Sequence, residues 1–102
     1  MMRGPCPTIL LGRALTASAA LAGTPVEITA DETTAWHSAT FSGARHAIEM
    51  RAPVAAQSWL ETVGDIDVSL PGHLLADLSV TRRSESAGML HVRIEALTVV
   101  GA

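Results

Sequence analysis

Behind Pro53, the residues Ala56, Trp59, Leu60 and Val63 recur at the i, i+3, i+4, i+7 spacing of one helix face, and Gly64 follows them. Proline suits a first helical position because its missing N–H would be unpaired there anyway, and glycine suits the position past the end. The spacing predicts an amphipathic helix over about 53–63. A helix with a single apolar stripe must bury it against another layer. Most of the remaining chain alternates apolar and polar residues with a period of two, so that layer must be a sheet. Trp59 is therefore expected in the core.

The alternation falls into six short runs. Val26, Ile28 and Ala30 alternate with Glu27, Thr29 and Asp31; "AWHSATF" (35–41) and "RHAIEMR" (45–51) follow, joined through Ser42-Gly43-Ala44. Past the helix, Ile66, Val68 and Leu70 alternate with Asp67 and Ser69 up to the turn signal Pro71-Gly72. Leu74, Ala76, Leu78 and Val80 form a fifth run, and Leu90, Val92 and Ile94 a sixth. Each reads as a half-buried strand. The polar "RRSESAG" between the last two reads as a solvated loop. The apolar phase blurs at Leu97, Val99 and Val100, which predicts a bulge or a doubly covered end in the last strand.

The first 25 residues admit two readings. Pro7 and Thr8 suit a helix start; Leu10, Ala14, Ala17 and Leu21 share one face, with Leu11, Leu15 and Ala22 on the adjoining rows, and Gly23 and Pro25 stop the element. That predicts a retained helix over about 8–22. Arg3, Arg13 and the Ala20-Leu21-Ala22 triplet before Gly23 also fit a signal peptide cleaved near Ala22. The helix reading accounts for more residues and implies a cytoplasmic protein; the alternative is a secreted or periplasmic one. No run is long and apolar enough to span a bilayer as a helix.

Together these runs predict a single α+β domain over 1–102, with two helices (about 8–22 and 53–63) on one face of an antiparallel sheet of about six short strands. The element order is αβββαβββ, a repeat of order with little residue identity between the halves. Two small sheets wrapped by the helices would be the alternative packing. The composition is globular, 48% hydrophobic with 17% charged residues, and at 102 residues the chain is long enough for a core without metals or disulfides. The single Cys6 excludes an internal disulfide and any cysteine-based zinc cluster. All seven basic residues are arginine, and the net charge is −3. Nucleic-acid binding, which needs a basic footprint, is therefore not expected.

Trp36, His37, Arg45, His46, Glu49 and Arg51 crowd the second and third runs, the densest polar chemistry in the chain. A two-residue turn at Ser42-Gly43 would set His37 and His46 on one face, within reach of one metal or proton. A three-residue loop, 42–44, would instead place His37 across from Glu49. In either register Ala44, His46, Ile48 and Met50 form one row of the strand. None of the four histidines has ligand spacing, and no serine sits in a nucleophile elbow. No cofactor or metal is implied. The expected function is a non-catalytic module that works by self-association, a homodimer being the simplest form, or by binding a protein partner. The alternative is a small enzyme or ligand-binding domain with its site at Trp36, His37, Arg45 and His46.

Overall fold

The computed structural model describes residues 6–100; Arg3 of the signal-peptide reading lies outside them. The order is a helix α1 (Pro7–Leu21), strands β1 (Glu27–His37) and β2 (Ser42–Pro53), a short helix α2 (Gln57–Leu60) between two 3₁₀ turns (Val54–Ala56 and Val63–Asp65), and strands β3 (His73–Ser86) and β4 (Met89–Val100). The four strands form one antiparallel sheet in the order β1-β2-β4-β3.

The expected six strands and the order αβββαβββ are thus overturned, for three physical reasons. First, the runs at 26–31 and 35–41 are not separate strands. The polar bridge between them continues β1, and a strand at the sheet's edge tolerates polar residues on both faces because most of it meets water. Second, residues 66–70 alternate as a strand does but pair with no strand among the described residues. Leu70 is buried and Ile66 and Val68 pack beside the core, so the alternation records inward-facing side chains without a ladder. Third, "RRSES" belongs to β3, whose end projects past the core with β4 as a ribbon.

The stripe predicted over 53–63 does face the sheet, with Ala56, Trp59, Leu60 and Val63 all buried. It is carried by a single α-helical turn flanked by 3₁₀ turns, not by one continuous helix. The helix predicted over 8–22 is present as α1, with its inward row shifted. Thr8, Leu11, Gly12, Leu15 and Ala19 face the sheet, whereas Leu21 is 91% exposed. Trp59 Nε1 donates to Ser18 Oγ at 2.9 Å, which ties α2 to α1.

Both helices cover one face of the sheet. Ile48, Met50, Ala52, Leu90, Val92, Ile94 and Ala96 point into it from the two central strands. The bulge expected near Leu97 is absent from β4. The irregularities fall at Thr29 of β1 and at Ala76 and Thr81 of β3, on the two edge strands, where bulges commonly end or blunt pairing. No helix among the described residues is long and apolar enough to cross a membrane.

Candidate functional site

The β1–β2 hairpin turns through neither Ser42-Gly43 nor Ser42-Gly43-Ala44. His37 pairs with Ser42, so the loop is Ser38–Phe41. The Ser38 hydroxyl organises it, donating to Phe41 O at 3.1 Å and accepting from Phe41 N at 2.9 Å. Gly43 lies within β2 opposite Trp36, for a steric reason. A Cβ there would sit 1.9 Å from the Thr98 carbonyl oxygen and 3.0 Å from Trp36 Cζ2. The glycine serves close backbone approach, and the indole ring covers the gap.

This register separates the four residues singled out in the sequence. Trp36 and Arg45 stand on the open face of the sheet, away from the helices; His37 and His46 stand on the covered face. His46 pairs with Thr33, four residues along β1 from His37. That spacing is about 13 Å of strand, so the shared metal or proton of the two-residue register is not formed. Among the described residues, no cluster of three or more His, Cys, Asp or Glu side chains is placed to hold a metal ion.

His46 is 1% exposed and bonded at both ring nitrogens. Thr8 Oγ1 of α1 lies 2.6 Å from Nδ1, and Thr98 Oγ1 of β4 lies 2.8 Å from Nε2. Thr98 Oγ1 also donates to the Ala44 carbonyl at 3.4 Å, and Thr8 Oγ1 meets Thr33 Oγ1. One proton arrangement satisfies the whole chain: Thr98 gives its proton to Ala44, so it accepts from Nε2–H. Nδ1 then accepts from the Thr8 hydroxyl, which accepts in turn from Thr33. The ring in this arrangement is neutral. Burial disfavours the imidazolium and lowers the pKa, and the charge of His73 adds to the lowering. A ring out of water with both nitrogens engaged fastens α1 to the sheet and offers no lone pair to a substrate.

Thr8 was legible only as a helix start, and Thr98 fell where the alternation blurred. Their spacing to His46 carries no sequence signal, because the three meet only once the sheet forms.

The open face carries charge. Arg51 pairs with Glu27, and Arg93 lies 3.7 Å from Glu49 and 3.3 Å from Glu95. Hydrogen bonds from Thr81 and from Arg93 hold the Glu95 carboxyl below its ordinary pKa. Glu32, Thr34, Arg45, Arg93 and Glu95 line a shallow hollow of about 160 Å³ there. At one end the face turns apolar: Trp36, Leu97, Val99 and Leu74 lie across adjacent strands, with Leu74 65% exposed. Among the described residues Trp36 Nε1 is out of contact with solvent and has no hydrogen-bond partner.

On the covered side, a groove of about 480 Å³ runs between α1 and β1, lined by Ile9, Ala17, Ala20, Ile28 and Ile48, with Arg13 and Asp31 also at its walls. It opens beside β1, whose outer main-chain groups have no strand partner among the described residues.

These features define an α+β domain with one helix-covered face, one open polar face and two exposed strand edges. No family model matches the chain, and no curated protein matches it. Among solved structures, a chain in the virion of a native gene transfer agent particle is similar to it. The TM-score is 0.59 at 20% identity, over 94% of this chain and 96% of that one. At that identity the likeness is one of fold.

Proposed function

We propose that this chain is a non-catalytic structural subunit that works by packing against other protein subunits, copies of itself included, in a particle-like assembly. The observation that carries the reading is the fold likeness to a virion chain over nearly the whole of both. The sheet supports it, since among the described residues its two edges have no strand partner and one face carries no helix, and such surfaces serve association. The engagement of His46 supports it too, because the most chemically capable side chain of the hairpin is spent on holding α1 in place. Sedimentation velocity over a wide range of concentration tests the proposal. The expected outcome is a mass that rises above the monomer as concentration increases; a chain that stays monomeric throughout would remove self-assembly from the reading.

A further inference from the structure

The two sheet edges differ in charge, and two arginines on one lie a single same-face step from the levels of two carboxylates on the other. On β1, Asp31 and Glu32 take no part in the ion pairs found among the described residues; on β3, the same holds for Arg82 and Arg83. All four are exposed. Following the ladder across the sheet, Ala30 pairs with Glu49, Glu49 with Arg93, and Arg93 with Arg82; Ile28 leads likewise through Met50 and Val92 to Arg83. Arg82 thus stands one same-face step from the level of Glu32 on the open face. Arg83 stands one same-face step from the level of Asp31 on the covered face.

Strand direction alternates across the four strands, so β1 and β3 run opposite ways. A second copy displaced sideways without rotation would therefore set its β1 antiparallel to the first copy's β3, continuing the sheet. In that register both arginines meet carboxylates diagonally across the junction, a distance long side chains span, while the Asp77 carboxylate, level with Thr34, flanks Glu32 on its other side. Val80, half-buried on the covered face, is level with Asp31 and would enter the apolar groove beside α1.

We propose that copies of this chain associate head to tail by antiparallel pairing of β3 with the next copy's β1, selected by Arg82 and Arg83 against Glu32 and Asp31. The proposal rests on the assembly reading above and specifies its surface. Such a contact uses two different edges, so it repeats until the array closes on itself or runs on as a filament. The irregularities at Thr29 of β1 and at Ala76 and Thr81 of β3 each interrupt one rung, and the 3₁₀ turn Val63–Asp65 packs beside β3 at Leu78, so the pairing is carried by the rungs between and beyond them.

Charge reversal in both directions tests it. One variant carries Arg82→Glu and Arg83→Glu, making both edges acidic at the facing positions; the other carries Asp31→Arg and Glu32→Arg, making both basic there. All four positions are exposed, and thermal melts check that each variant folds; the single reversals Arg82→Glu and Glu32→Arg stand in for any that does not. In sedimentation velocity at low salt, wild type is expected to assemble and each variant alone to fall to the monomer mass. The equimolar mixture is expected to regain the assembly, because each acidic edge then meets a basic one, and added salt weakens it. If wild type assembles and both variants do so equally, or the mixture does not recover, the edge pairing is wrong while the assembly reading stands. If wild type never assembles, both fall. If Asp31→Asn with Glu32→Gln assembles more strongly than wild type, the charges guard the edge and the proposal is overturned.

Discussion

His46 Nδ1 lies 2.6 Å from Thr8 Oγ1, so a β2 ring and an α1 hydroxyl 38 positions apart in sequence are joined in a buried site. The helix is held on the sheet by apolar packing of Leu11, Leu15 and Ala19 and by the Thr8 hydroxyl, which meets both His46 and Thr33; the bond to His46 is best served by a neutral imidazole.

That requirement has a pH signature. The folded pKa of His46 is lowered, so below the unfolded-chain value of about 6.5 the unfolded state binds the proton better, and stability falls as pH drops through that value toward the folded one. Denaturant melts at pH 7.5 and 5.5 should show the loss, and His46→Gln should flatten the difference while still folding. An NMR titration placing the His46 pKa above 6.5 would reverse the sign.

Thr98→Val keeps the side-chain shape but leaves the His46 Nε2–H buried without an acceptor. The expected loss is about 1–3 kcal/mol in urea melts. Thr8→Val removes the hydroxyl at Nδ1 and should cost a similar amount. The double variant should cost less than the sum of the two, because both act through one ring.

Trp59 is 6% exposed within the core, and Trp59→Ala should destabilise by about 3–5 kcal/mol. Trp59→Phe keeps much of the apolar packing and loses the bond to Ser18, for about 0.5–1.5 kcal/mol from that bond alone. A loss to alanine below about 1 kcal/mol would show that the stripe does not hold the sheet.

The β3–β4 hairpin turns on Ala87 and Gly88, with φ of 54° and 76°. Both central residues of such a two-residue turn need positive φ, which a Cβ resists. Ala87→Asn or Ala87→Gly should therefore stabilise by about 0.5–1 kcal/mol, read as a higher Tm. A lower Tm for both would mean the turn is not strained.

What the sequence revealed was direction more than pairing. The row Ala56, Trp59, Leu60 and Val63 faces the core as its spacing said, and so do His46, Ile48 and Met50. Spacing reports which side a side chain faces, and burial enforces it. It does not report whether the main chain finds a ladder, and so Ile66, Val68 and Leu70 looked like a strand. Gly43 misled in the same way, because its scarce property can serve a turn or a close approach, and only the partner strand decides which. Of the candidate site, Arg45 on the open face and His46 on the covered one were both legible as residues of a strand. The threonines that engage His46 were not, since they arrive from 38 positions before it and 52 after it.

The placing of β4 carries a kinetic consequence. β4, which follows β3 in sequence, occupies the interior of the sheet between β2 and β3, and its pairing with β2 spans separations as large as the 56 positions from Gly43 to Val99. Until β4 has been synthesised, β2 lacks its inner neighbour and α1 has only the β1–β2 hairpin to cover. A chain emerging vectorially must therefore hold the apolar rows of β1 and β2 open until β4 has followed them, and then close a long loop. Refolding is expected in the millisecond-to-second range of topologies rich in distant contacts, and an interrupted chain that stops before Leu90 would be left as exposed strands prone to aggregate.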